Sequence, residues 1–453
     1  MRKKNPFYNS WIALIVFVAL IIFIPYKVSF LSFKVSDFWL VLCLVLQHAN
    51  GFNRKLDFRN RGFLKNFGLW MGLIALAGTL FQALQDETPL NPVFLNDFYR
   101  FFRYFLIFKF VENIISGSNG RDLVRYLSWY TVLGAIAVVF AFLEFYSVGV
   151  FQNMILNFYY VVPDQTFDEY IKEFGRLLGV MGNSNTTAIY LTSTMVFPAF
   201  SLVTRRTHLL NKLLFVLYLL LTLYVVIFMT ASRTSIVISI FLFIFLVVLS
   251  FSRIKIFFRF LFVVTLSVIL GIYYFIQYDS DVVIADRVVY FFEGRSTQGE
   301  KVGFIESLGR NELWKNRYNI FVHHAHPLAI LTGMGYTKVY KDYSDNGMLS
   351  AFFNGGLLSL SLRLILYFIA IRYGLLAAFS RYWRSNNQSL GLILATVSIV
   401  FLSWELTADS IEHVKIGQIF YLFFSATFII ACKQKRIAHM EPRVSAKPLL
   451  LPG

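Results

Sequence analysis

Apolar runs about as long as a bilayer is thick follow one another along nearly the whole chain, and one polar stretch, residues 279–346, interrupts them. The runs lie near 9–27, 30–48, 67–86, 93–111, 126–149, 185–203, 212–230, 235–251, 260–278, 347–371, 389–406 and 414–432. Runs of this length predict about twelve membrane-spanning helices, an all-α polytopic membrane protein. The first run follows Arg2, Lys3 and Lys4 as in a signal peptide, but no small-residue cleavage site ends it, so it is expected to stay as an anchor. Residues 1–453 then form a single transmembrane domain, 279–346 its one long outer loop and 433–453 a cytoplasmic tail, expected to be disordered.

Composition narrows the class further. With 57% hydrophobic residues, 51 Phe and a mean hydropathy of +0.62, a soluble globular domain is excluded. Lys and Arg concentrate in alternate short loops, at Arg54–Lys65, Arg205 with Arg206, Arg253–Arg259 and Arg381 with Arg384. The positive-inside rule places those loops and both termini in the cytoplasm and the long loop outside. The net charge of +17 therefore reads as a topogenic and lipid-surface signal, and nucleic acid is not an expected partner. Cys43 falls inside the second run and Cys432 at the cytoplasmic end of the last, so no structural disulfide is expected.

Polar residues at the outer ends of the runs carry the candidate chemistry. Arg176 opens RLLGVMGNSN, a Gly- and Asn-rich entry into the sixth run that would present backbone N–H groups to an anion; the alternative is a helix cap made by Asn183 to Asn185. Arg233, in ASRTS between the seventh and eighth runs, either snorkels to head groups or faces the loop. In the loop, GRNELW sets Arg310 before Trp314 and Arg317 at helical spacing, and an arginine fork beside an aromatic face suits phosphate and sugar. Asp345 and Asn346 open the tenth run, where Gly355 and Gly356 allow another backbone close. Arg100 and Arg103, one turn apart in the fourth run, form either a salt-bridged pair or a basic groove. His323, His324 and His326 cluster but bring too few further ligands for zinc; one of them is an alternative base to Asp345. Glu405, Asp409 and Glu412 either position sugar hydroxyls or pair with arginines.

Four pieces in this order, RLLGVMGNSN, ASRTS, GRNELW and SDNGMLSAFFNGG, make the chain resemble the O-antigen polymerase and ligase superfamily, the Wzy- and WaaL-type membrane glycosyltransferases, over about residues 170–360. Two features depart from the family pattern: Asn183-Ser184-Asn185 lacks the family's central proline, and Asp345 with Asn346 stands where ligases carry a histidine motif, which favours polymerase. The resemblance implies a GT-C-like transferase at the periplasmic face of a bacterial inner membrane. It would move a growing glycan from an undecaprenyl-diphosphate donor onto a new lipid-linked repeat unit, with no cofactor or metal, and with a chain-length regulator as a possible partner. Arg176, Arg233 and Arg310 would then gather on the diphosphate, Asp345 would serve as acceptor-side base or as a helix cap, and Arg100, Arg103, Asn183, Asn185, Trp314, Arg317, His323, His326 and Asn346 would line the substrate path. A ligase with the same donor and a flippase for lipid-linked sugars are the rival functions.

Overall fold

The computed structural model describes residues 7–24, 29–30, 33–51, 61–86, 94–117, 120–146, 177–204, 209–230, 238–239, 242, 311–335, 346–379, 385–405 and 414–445. Its helices are α1 (Trp11–Phe23), α2 (Val35–Ala49), α3 (Arg61–Gln85), α4 (Phe94–Gly117), α5 (Gly120–Phe145), α6 (Ser184–Thr204), α7 (Leu209–Tyr224), α8 (Asn311–His324), α9 (Gly347–Phe379), α10 (Ser385–Glu405) and α11 (Val414–Ser445). Ten of the twelve expected spans coincide with one of these helices. The spans near 235–251 and 260–278 and most of the 279–346 loop lie outside the described residues. Between α1 and α2 the chain makes a two-residue antiparallel ladder, β1 (Ser29–Phe30) against β2 (Phe33–Lys34), pairing Ser29 with Lys34 and Phe30 with Phe33.

The helices are built inside out relative to a soluble bundle. Around α9, Leu364, Ile365, Phe368 and Leu376 face outward while Arg363, Leu366, Tyr367 and Ala370 face inward; α2 likewise exposes Phe38, Leu42 and Val45 and buries Asp37, Leu40 and Cys43. An apolar stripe facing out over ionic residues facing in suits hydrocarbon as the solvent and would be costly in water. Among the described residues, four helices are long and apolar enough to cross a membrane: Arg61–Gln85, Val124–Phe145, Leu209–Met229 and Gly347–Leu376. Shorter apolar helices, Trp11–Phe23, Val35–Ala49, Gly391–Glu405 and Lys415–Ile430, pack among them. The chain is a helical membrane protein.

Small residues set the closest crossings, as expected where packing replaces the hydrophobic effect. Gly68 and Gly72 of α3 lie against Phe101 and Phe98 of α4, where any Cβ would strike backbone or ring. Tyr421 of α11 donates its hydroxyl to the Leu64 carbonyl and stacks on Phe67 and Tyr104 at ring separations of 5.8 and 4.8 Å. Tyr130 of α5 meets Ser193 of α6 at 2.6 Å, and Thr194 of α6 meets Tyr218 of α7 at 2.5 Å.

The tenth span is not the single helix that its apolar run suggests. Gly356 has φ 62° and ψ −165°, a conformation essentially confined to glycine, and the helix breaks there. Arg363 Nη1 nonetheless donates to the Gly347 carbonyl at 2.9 Å, sixteen positions back. A straight helix would hold those residues about 24 Å apart, far beyond an arginine's reach. Residues 347–355 therefore form a short limb folded back beside the long limb, residues 357–379. Hydropathy could not register the break, because both limbs are apolar.

Candidate functional site

Alternation of the helices sends one set of ends to one pole of the bundle: the C-termini of α1, α3, α5, α7 and α10, and the N-termini of α2, α4, α6 and α11. This is the pole that the lysine and arginine distribution assigns to the outside. Three constructions meet there.

The first is basic. Asp37, at the third position of α2, accepts the Lys34 backbone N–H at 2.8 Å and pairs with Arg103 Nη2 of α4 at 3.1 Å. Arg103 lies over the Tyr99 ring at 4.7 Å and Arg100 over Phe101 at 5.4 Å, so both guanidiniums sit against aromatic faces. Arg103, Arg100 and Lys415 are the cationic neighbours of the Lys34 ammonium. Lys415, at the start of α11 and only 2% exposed, donates to the Ile22 and Val180 carbonyls at 3.0 Å each. It thus joins the C-terminal carbonyls of α1, where a cation complements the helix dipole, to the turn that enters α6.

That turn, residues 177–183, is the second construction. Glu144, at the end of α5 and fully buried, accepts the backbone N–H groups of Leu178 at 2.7 Å and Gly179 at 2.9 Å. Thr187 Oγ1 donates to the Leu178 carbonyl, and the Leu177 N–H donates to the Met229 carbonyl at 3.0 Å. The sequence suggested that these N–H groups await an outside anion; at Leu178 and Gly179 a protein carboxylate already takes them. Asn183 Oδ1 accepts the Asn185 and Thr186 N–H groups at 2.9 and 3.3 Å, which makes Asn183 the cap of α6, with Asn185 half-buried in its first turn. Met229 closes a π-helical turn, Val225–Met229, in which the Thr230 N–H reaches the Val225 carbonyl at 2.9 Å. Such turns concentrate at functional sites.

The third is the folded-back limb of α9. Asn346 Oδ1 accepts the N–H groups of Met348 and Leu349 at 3.0 Å each, so Asn346 caps the limb. Arg363 and Glu405, both fully buried, meet at 2.5 Å, and Tyr367 donates to the other Glu405 oxygen at 3.4 Å. At the limb's far end, the N–H groups of Met334 and Gly335 donate to the Phe353 and Asn354 carbonyls at 2.8 and 3.0 Å. Gly355 and Gly356 do admit a second backbone, residues 331–333.

α8 packs Phe321 onto Phe352 and Phe353 of this limb, with Trp314 and Arg317 half-buried along the helix. Its histidines divide. His323 is exposed, while His326 is buried, with Nδ1 accepting the Leu328 N–H at 3.2 Å and Nε2 donating to the Gly333 carbonyl at 2.8 Å. Both nitrogens of His326 are therefore taken by backbone, which makes it a bracket for the 326–333 turn rather than a base. Gln82 of α3 ties that turn down through the His324 carbonyl and the His326 N–H. Among the described residues, no group of three His, Cys, Asp or Glu stands close enough to hold a metal ion.

No family profile and no curated protein sequence matches the chain. The site rests on its own geometry.

Four residues expected to be catalytic, Arg176, Arg233, Arg310 and Asp345, lie outside the described residues. Each adjoins or closely follows a described anchor: Leu177 after Arg176, Met229 before Arg233, Asn311 after Arg310 and Asn346 after Asp345. The pairing of Leu177 with Met229 draws the first two chain segments together. Of the expected substrate-path residues, Arg100 and Arg103 join the basic construction, Asn183 and Asn185 the turn, Trp314, Arg317, His323 and His326 the α8 region, and Asn346 the limb. Sequence reasoning passed over Lys34, Asp37, Glu144, Arg363 and Lys415. The available signal was simple: each is an ionisable residue within or at the edge of an apolar run, where such residues are rarely incidental.

Proposed function

We propose that the protein is a polysaccharide polymerase of the Wzy type, with about twelve spans and a GT-C-like arrangement. It transfers an undecaprenyl-diphosphate-linked glycan onto the non-reducing end of a new lipid-linked repeat unit at the periplasmic face of a bacterial inner membrane. The observation that carries this reading is the gathering of Arg103, Lys415 and Arg100 about Lys34, beside the Asp37–Arg103 pair, at one pole of the bundle. The permanently charged guanidiniums of Arg100 and Arg103 suit a lipid diphosphate, because they stabilise the charge that builds on the leaving group as the glycosidic bond to it breaks. Arg176, Arg233 and Arg310 bind the same diphosphate under this reading. Asp345 takes the proton of the acceptor hydroxyl as the new bond forms. Trp314 and Arg317 offer an aromatic face and a fork to the sugars.

A flippase remains the second reading, and one observation favours it: α9 is broken and carries a buried ion pair, features that transporters use at their substrate sites. The purified protein in liposomes, given lipid-diphosphate-linked repeat units, separates the two. A ladder of products that disappears in Arg310→Ala and Arg103→Ala supports the polymerase. Transbilayer movement of the repeat unit without any ladder replaces it with the flippase.

A further inference from the structure

The short limb of α9 is held at both ends, and only one end is held by charge. At residues 353–354 the grip is backbone on backbone, from Met334 and Gly335. At Gly347 it is the Arg363–Glu405 pair: Arg363 Nη1 donates both to the Gly347 carbonyl at 2.9 Å and to Glu405 Oε1 at 2.5 Å. Gly347 lies so close that any Cβ there would enter the Glu405 carboxylate. The carboxylate thus sits at the N-terminus of the limb, the positive end of its dipole, and the guanidinium bridges it to the first carbonyl. Tyr367, one turn below Arg363, takes the second Glu405 oxygen at 3.4 Å.

An ion pair whose only task is to neutralise itself inside a bundle gains nothing from an added bond to a neighbouring carbonyl, and paired apolar residues replace such pairs without loss of stability. This pair has a third member, and that member begins the limb capped by Asn346. We propose that Arg363 and Glu405 form a latch that positions the inner end of the folded-back limb, and with it Asn346 and the chain that enters it. Arg363 and Glu405 are positioning residues: they act through the limb. Asp345 immediately precedes Asn346, so under the polymerase reading the latch sets where the acceptor-side base stands; that consequence rests on the proposed function, while the latch itself does not.

The test uses the full-length protein in liposomes with Cys43 and Cys432 replaced by serine and a single thiol introduced as Met348→Cys, on a half-buried residue of the limb's first turn. The rate of labelling by a membrane-impermeant maleimide is compared between the intact latch and the double variant Arg363→Met/Glu405→Leu, which keeps the interior apolar and charge-neutral. The latch predicts labelling at least about ten-fold faster in the double variant, because the limb's inner end opens locally while the bundle stays folded. Gly347→Ala, which leaves both latch residues in place but drives a methyl into the carboxylate, is expected to accelerate labelling in the same direction. In the polymer assay, the double variant is expected to lower kcat with KM little changed, since donor binding belongs to the basic cluster. Labelling of the double variant and of Gly347→Ala at the unmodified rate overturns the latch. Faster labelling from a protein that makes no polymer even with the latch intact leaves the latch standing and removes the polymerase reading.

Discussion

The two poles of the bundle use their charges differently. At the pole where α3 begins and α4 ends, Arg61 pairs with both Glu112 oxygens at 2.6 and 2.9 Å, Lys109 adds a third contact at 3.3 Å, and Gln47 joins Asn113 and the Tyr8 carbonyl. Apart from the Tyr8 carbonyl, these are side chains of regular helices meeting one another, with Arg61 partly exposed. At the opposite pole, beside the Asp37–Arg103 and Arg363–Glu405 pairs, side-chain charges are also spent on backbone: Glu144 on two N–H groups of a turn, Lys415 on two carbonyls, Arg363 on the first carbonyl of a folded-back limb. The same pole holds the π turn and the break at Gly356. Helices that only need to stand in a membrane satisfy their own backbone. Backbone that leaves the helix there must be held by something else, and a structure that supplies fully buried charges to do so is shaping irregular segments for use.

The largest effect that separates the poles is expected from Arg363→Ala, which leaves Glu405 buried without its guanidinium; the cost of such a truncation is about 3–5 kcal/mol, read as a fall in the thermal unfolding midpoint in detergent. Gly356→Ala follows. It imposes a glycine-only conformation on a side chain and presses a methyl into the backbone at Leu331 and Thr332, so about 1–3 kcal/mol is expected, with the limb's amide exchange accelerated. Glu144→Gln leaves one acceptor oxygen for two backbone N–H groups and turns its NH2 toward the other, an expected loss of about 2 kcal/mol, with exchange rising first at Leu178 and Gly179. Arg61→Ala at the plain pole is expected to cost least, about 1–2 kcal/mol, because Lys109 still pairs with the buried Glu112, and polymer formation is expected to survive it. An unchanged midpoint for Arg363→Ala, or lost activity for Arg61→Ala, would erase the distinction between the poles.

Much of the helical frame is legible in the sequence, because membrane-length apolar runs leave few alternatives: ten expected spans overlap helices, although several helices run six or more residues beyond the apolar run. The break in α9 is not legible, since Gly355-Gly356 inside an apolar run reads equally well as close packing, and it serves that purpose too. Arg100 and Arg103 were visible as a pair, but the company they keep was not, because Lys34 and Lys415 come from helices remote in the sequence. Glu405 left two readings open, sugar contact or arginine pairing; Arg363 settles it as pairing, and that arginine drew no notice as a lone charge in an apolar run. His326 illustrates the opposite hazard. A conspicuous histidine cluster invites a chemical role, yet this one spends both nitrogens on backbone.

The most direct test of the claim that one pole works and the other merely stands is a single polymerisation assay in liposomes with a defined lipid-diphosphate-linked repeat unit, comparing Arg103→Leu with Arg61→Leu at matched folded protein. The account predicts that Arg103→Leu abolishes the product ladder while Arg61→Leu leaves its length and rate unchanged. A ladder that survives Arg103→Leu, or fails equally in both, would contradict it.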